Sequence, residues 1–553
     1  MLTLSTLLIS MFITLMLVPI LRTAASKLGW GMDYPAPRKV HGVPKARVGG
    51  AAMALGVLVP MVLWIDGSRF VNAVIIGAWI VAFFGLADDI KKLGWKAKFL
   101  GQVLAALVVI FYGQNLICHL GVCIPGEHTL SHFVSIPLTL LVIVGVTNAI
   151  NLADGLDGLA GGILLIIFIC IGYLAFTLRS VGDNTFIMLI SLAAIGSLVG
   201  FLRFNTYPST VFMGDTGSQL MGFLAITLSI GLTQSSSVVS PMLPLLMLGF
   251  PILDTLVVMA ERIAQGRSPF LADKNHFHHK LMRMGLYHTE AVAVIYTITT
   301  GLVLTAFMLR FHSEWLLLGL YGGFCVVVVT GFTYMDKHGW QLNRGETFFD
   351  VNIKQRLRPL KDIAVLIKFL FLLLQALLLL VLLAASLVPA VLPPLLSWIA
   401  GGCAALLMGV LILKKAWIGI VVRSIFYFMI PLVLYFGIAD PAEWAGQPQL
   451  RVINICFALV ALLSVMTLKF TRREKGFQAT PLDFLILMIA LVVPNLPDTG
   501  LRSFHMGGLA VKIIILLYGF EIIIGEYRGK YEKLALAMLA LLLLVLVRGF
   551  LNF

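Results

Sequence analysis

Charge is scarce in this 553-residue sequence: Asp, Glu, Lys and Arg supply 12% of it, where a soluble domain carries about 25%. Together with an apolar share of 60%, against about 45–50% in a soluble chain, that scarcity excludes an ordinary water-soluble domain. Short segments of alternating polarity, the mark of membrane barrel strands, do not account for the apolar residues either. Cysteine is sparse too. Of six, Cys170, Cys325, Cys403 and Cys456 fall inside apolar runs as small core residues, and no spacing resembles a zinc or haem site. Cys118 and Cys123 share one loop, where a disulfide is chemically permitted. The first apolar run, Thr3 to Leu21, lacks a basic region before it and a small-residue cleavage site after it, so it reads as a retained helix.

What is present is a series of apolar runs, each near the ~20 residues that a spanning helix needs. They predict an all-α, polytopic transmembrane helix bundle with about eleven helices before residue 335 and about seven after it. The first set covers roughly 2–21, 48–65, 71–87, 99–114, 133–150, 158–177, 184–202, 217–233, 240–260, 291–310 and 314–334. The second covers roughly 363–387, 392–413, 417–438, 451–468, 481–495, 508–526 and 531–550. Residues 1–335 form one expected domain, 336–362 a charged linker and 363–553 a further transmembrane region.

The formal charge of +14 does not indicate nucleic acid, because the basic residues follow the connections between helices. Odd-numbered connections are basic, as in Arg22 to Arg47, Lys91 to Lys98, Arg262 to Arg283 and Lys337 to Lys361. Even-numbered ones are poor in Lys and Arg; Asn115–His132 has none. The positive-inside rule then puts the N-terminus outside and the odd loops in the cytoplasm, with lipid contact as the plainest role for most of these cations.

Carboxylates at membrane-helix ends are costly, and each is a functional candidate. Asp88-Asp89 ends the third helix, Asn148, Asn151, Asp154 and Asp157 follow the fifth, Asp215 precedes the eighth, and Asp254 sits within the ninth. The first three clusters share the expected cytoplasmic face with His276-Phe277-His278-His279. Hard carboxylate and amide oxygens suit magnesium, or manganese in its place, and magnesium shares its shell with water and phosphate. The neighbouring glycines allow close backbone approach, and Lys91, Lys92, Lys98 and Arg203 supply countercharge for a diphosphate. That combination fits phosphoryl transfer. An acidic pair alone reads equally as a surface cap, the 148–157 run as an ion relay of a transporter, and Asp254 as a buried, hydrogen-bonded packing group outside the site. Acids at helix ends beside glycines favour the enzyme, because transporters place their sites near the midplane.

Five stretches in order resemble the polyprenyl-phosphate N-acetylhexosamine-1-phosphate transferases. They are Asp33 to His41 with Arg47-Val48-Gly49-Gly50; Asp88-Asp89 with Lys98 and Gln102; Asn148 to Gly158; Phe212-Met213-Gly214-Asp215-Thr216-Gly217-Ser218; and Ser268-Pro269-Phe270 with His276-Phe277-His278-His279. The resemblance covers roughly residues 1–335, and its eleven-helix count is similar to the branch that starts O-antigen, enterobacterial common antigen or teichoic acid synthesis. It implies a glycosyltransferase of the bacterial cytoplasmic membrane that uses a UDP-sugar and undecaprenyl phosphate and releases UMP; a homodimer is left open. It implies magnesium ligation by Asp215 with Asn151, stacking of Phe212 on uracil and contact of Asp157 with the uracil edge. It assigns Asp88 and Asp89 to the acceptor phosphate, Lys98 to the diphosphate, and His276, His278 and His279 to sugar and phosphate; Asp154 lies in the same motif. The related phospho-N-acetylmuramoyl-pentapeptide transferase carries three adjacent histidines in its last loop. The spaced His-x-His-His here points instead to a donor without peptide, UDP-GlcNAc before others. Residues 363–553 fall outside the resemblance, and their helices carry few buried ionisable groups: Lys368, Arg423, Lys512, Glu521 and Arg548.

Overall fold

The computed structural model describes residues 2–34, 44–64, 67–123, 129–178, 184–235, 238–268, 275–342, 364–413, 417–439, 446–470, 506–527 and 531–551. They are almost entirely helical, as a bilayer demands: with no water available, a spanning segment must satisfy its own backbone groups. Thirteen of these helices are long and apolar enough to cross a membrane, and the chain is a multi-pass membrane protein. The described residues fall into two compact units, one within 1–343 and one within 344–553.

The first unit runs α1 (Leu2–Leu28), α2 (Gly49–Trp64), α3 (Arg69–Lys91), α4 (Trp95–Leu107, continued by a wide turn to Tyr112), α5 (His132–Ala153), α6 (Leu159–Thr177), α7 (Thr185–Asn205) and α8 (Gly214–Gln234). It continues with α9 (Leu243–Met247), α10 (Gly249–Ala264), α11 (Phe277–Arg283), α12 (His288–Met308) and α13 (Glu314–Lys337). A two-stranded ribbon pairs Met32–Asp33 with Lys45–Ala46. α8 is the hub. It is buried almost throughout and packs against α2, α3, α5 and α6. Small residues let the helices close on it: a Cβ on Gly222 would meet Ile150 and Thr147 of α5 at 3.0–3.2 Å, the close approach by which membrane helices associate.

The eleven expected spans of this unit map onto its helices with one correction. The stretch 240–260 is not one helix; it divides at Leu248 into α9 and the 16-residue α10. Pro244 opens α9 and Pro251 lies in the first turn of α10, positions at which a missing N–H costs nothing. The histidine stretch, read from sequence as loop, folds into the short α11. Cys118 carries a free thiol, and the side chain of Cys123 lies outside the described residues.

The second unit contains helices Ala364–Leu387, Pro394–Leu413, Ile418–Ala439, Gln447–Phe470, Met506–Tyr527 and Glu532–Leu551. The expected span at 481–495 lies outside the described residues. Among the intramembrane charges here, Arg423, Glu521 and Arg548 have polar partners, and Lys512 lies over the Phe457 ring, 5.6 Å from its centroid. Arg423 Nε lies 3.3 Å from Glu521 Oε1, and the Tyr427 hydroxyl donates to that same oxygen at 3.1 Å. Arg548 donates to the carbonyls of Ser386 and Pro389 at 2.6 and 3.0 Å, placing a cation on the C-terminal end of Ala364–Leu387 where the helix dipole favours one.

Candidate active site

The N-terminus of α8 organises the site. Asp89, in the last turn of α3, accepts the backbone N–H of Asp215 on Oδ1 at 2.9 Å. Its Oδ2 accepts the N–H of Thr216 at 3.0 Å and the Thr216 hydroxyl at 2.6 Å. Asp89 is thus a helix cap supplied from another helix: it satisfies orphan donors and places negative charge at the positive end of the dipole. The approach is permitted only by glycine, since a Cβ on Gly214, at φ +70°, would lie 2.6 Å from the Asp89 carboxylate. On the opposite side, Gly50 of α2 comes so near Gly217 that a Cβ on either would overlap the other's backbone.

The Asp215 side chain lies between two donors. Lys98 Nζ reaches its Oδ2 at 2.6 Å, and the Asn151 amide reaches its Oδ1 at 2.5 Å while also donating to Ser218 Oγ at 2.8 Å. Lys98 bridges on to Asp88 Oδ2 at 2.8 Å. Gln102, one turn along α4, donates to Gln219 of α8 at 3.2 Å and ties the two helices together. The structure therefore brings Asp88, Asp89, Lys98, Asn151 and Asp215 into one connected cluster at one end of the bundle. Asp88 Oδ1 is buried and has no hydrogen-bond partner among the described residues.

These groups suit magnesium in kind. Among the described residues no three His, Cys, Asp or Glu side chains form a ready cage, but magnesium is held by one or two carboxylates and completes its shell with water and phosphate. Asp215 and the Asn151 carbonyl oxygen after an amide turn supply such a set, and Lys98 already marks a cation position between Asp215 and Asp88.

A second cluster forms around Phe212. The ribbon fixes it: Phe212 N–H donates to Ala46 O at 2.9 Å, and Gly49 N–H donates to Phe212 O at 3.1 Å. Lys45 lies over the Phe212 ring, 4.8 Å from its centroid, and binds Asp157 Oδ2 at 3.3 Å and Ser209 Oγ at 2.8 Å. Ser209 N–H also donates to Asp157 Oδ2, at 2.9 Å. Lys45 joins two expected nucleotide contacts, and sequence reading missed it. Its position in a basic connection suggested only topology, although the adjoining Arg47-Val48-Gly49-Gly50 stretch marked the segment.

The histidine turn closes the third side. His278 lies against Gly155, where an added Cβ would sit 2.4 Å from His278 Nε2. Burial, then the neighbouring His279, His276 and His288, hold the His278 ring well below its ordinary pKa, so it is neutral at pH 7. Asp154, in the same loop as Gly155, is pushed up to about 7 by burial first and then by the charges of Asp215, Asp89 and Asp157. That electrostatic coupling links the loop to the α8 cluster. Asp254, set aside in the sequence reading as a buried packing group, is buried and hydrogen-bonded, and its partners belong to the histidine turn.

With this geometry in hand, similarity to known proteins decides the family. The glycosyl transferase family 4 model matches residues 71–233, the stretch that holds both acidic clusters and Asp215. A Bacillus subtilis protein, named a probable undecaprenyl-phosphate N-acetylglucosaminyl 1-phosphate transferase, is 37% identical over 310 residues, covering 56% of this chain and 85% of the relative. The chain belongs to glycosyl transferase family 4. Other members are similar at comparable distance. The Mycobacterium leprae decaprenyl-phosphate N-acetylglucosaminephosphotransferase is 36% identical over 289 residues, covering 48% of this chain and 73% of its own. The Escherichia coli K12 undecaprenyl-phosphate alpha-N-acetylglucosaminyl 1-phosphate transferase is 29% identical over 368 residues, 65% of this chain and 96% of its own.

Proposed function

We propose that this chain transfers N-acetylglucosamine-1-phosphate from UDP-GlcNAc to a polyprenyl phosphate, undecaprenyl phosphate in bacteria, and releases UMP as the first membrane step of an envelope polysaccharide. The observation that carries the reading is the Asp215 cluster: a carboxylate on a capped helix N-terminus, flanked by Lys98, Asn151 and Asp88. Names borne by the relatives from Bacillus, Mycobacterium and Escherichia support the lipid acceptor and the sugar. The balance of basic loops supports a cytoplasmic-facing site and an external N-terminus.

In this reading an oxygen of the acceptor phosphate attacks the β-phosphorus of the donor. The bond from that phosphorus to the bridging oxygen breaks, and its electron pair leaves on UMP. Phe212 and Asp157 hold the uracil, with Lys45 beside both. Asp88, with one oxygen free of partners among the described residues, takes the acceptor's proton; Asp89, fully engaged at α8, holds Asp215 in place. Lys98 faces the diphosphate. Asp215 and Asn151 would hold magnesium, which when bound neutralises phosphate charge. His276, His278 and His279 face sugar and phosphate from the third side. The purified chain in lipid should release UMP from UDP-GlcNAc only when polyprenyl phosphate and magnesium are both present. Release that is independent of the lipid would reject the reading.

A further inference from the structure

We propose that Asp254 is a positioning residue for His276, fixing both the ring's tautomer and the start of the histidine turn; the role in turnover rests on the transferase reading above. Asp254 sits in α10 with 4% of its surface exposed, and His276 is 5% exposed. Asp254 Oδ2 lies 2.8 Å from His276 Nδ1, and its Oδ1 accepts the Phe277 N–H at 2.7 Å. A carboxylate in an apolar helix is costly unless hydrogen bonds compensate it, and both of these bonds go to the histidine segment. The carboxylate only accepts, so the ring proton resides on Nδ1 and Nε2 is left to meet a ligand.

A second grip lies seven residues on. Glu261, two turns along α10, accepts from Lys280 at 2.6 Å, so α10 holds α11 at two points along one side. Orientation then passes along the turn. The rings of His276 and His278 stack nearly parallel, with centroids 5.7 Å apart and planes 9° apart, and His278 is 4.2 Å from His279. His278 Nε2 is buried without a partner among the described residues and lies where Gly155 leaves room for it. Rotating His276 would disturb this stack and the face that it turns toward the Asp154–Asp157 loop.

The test uses the full chain in lipid bilayers, labelled with ¹⁵N-histidine, with His276→Gln to assign the ring. Wild type should show His276 protonated on Nδ1. In Asp254→Asn the amide donates to Nδ1, and the proton should move to Nε2. Turnover of UDP-GlcNAc per folded molecule should fall roughly 10- to 100-fold, the range seen when a carboxylate that orients a metal-bound histidine is removed, with the KM for the donor within about threefold. An unchanged tautomer overturns the proposal, as does a lower melting temperature with unchanged turnover per folded molecule. If wild type releases no UMP at all, the transferase reading fails, while the tautomer comparison still decides the Asp254–His276 pairing.

Discussion

The two units of the chain place their few charges in opposite ways. In the first, Asp88 and Asp215 flank one lysine while Asp89 caps the helix that carries Asp215, beside glycines that admit neighbouring backbone, and Asp88 keeps an oxygen without a partner among the described residues. In the second, Glu521 is matched by Arg423 and Tyr427, and Arg548 lies on the carbonyls that end a helix. Charge that neighbouring residues of the fold neutralise holds helices together; charge concentrated in excess and left partly unsatisfied is what a phosphate or a cation can use. That contrast, more than the presence of acids within helices, separates an active site from packing.

The comparison can be broken at its strongest point by Asp215→Asn, which keeps the shape and removes the anion. Turnover should fall about 10²–10³-fold, the size of losing one pre-set electrostatic group, with insertion and melting temperature unchanged; near-wild-type turnover at limiting magnesium would remove Asp215 from the site. Next in size, Asp89→Ala should lower both stability, by about 1–3 kcal/mol from unmet donors at α8, and turnover, whereas Asp88→Asn should lower turnover alone. Thermal unfolding and kinetics on the same samples separate the two aspartates. Phe212→Ala should raise the KM for UDP-GlcNAc more than it lowers kcat, by an amount near the ~1–3 kcal/mol of stacking on a base, measured by steady-state titration. The smallest effect belongs to the second unit. Glu521→Gln should leave turnover per folded molecule within about twofold and reduce stability by roughly 0.6 kcal/mol, the mean of polar contacts between membrane helices. A large loss of turnover there would erase the distinction between the units.

Much of the architecture is legible in the sequence, because membrane helices announce themselves by length and apolarity alone. The acidic clusters are legible for the same reason: in an apolar background an aspartate at a helix end needs an explanation. Partners across helices are not legible. Asp89 and Asp215 are 126 residues apart, and no periodicity reveals that one carboxylate caps the other's helix. Lys45 looked like one of many topological cations until the ribbon set it over Phe212. The sequence marks Asp254 as a buried, hydrogen-bonded group, but does not reveal that its partners lie in a turn 22 residues on. The break at Leu248 was present in Pro244, Gly249 and Pro251, but the continuous apolar run outweighed them.

The central claim is that the first unit moves a phosphorus together with the sugar, which distinguishes it from transfer of the sugar alone. Incubating the full chain in lipid with undecaprenyl phosphate, magnesium and UDP-GlcNAc labelled with ³²P at the β-phosphate tests this most directly. The account predicts that label enters the lipid product and that unlabelled UMP appears in equal amount. Label released as UDP, with an unlabelled glycolipid, would contradict it.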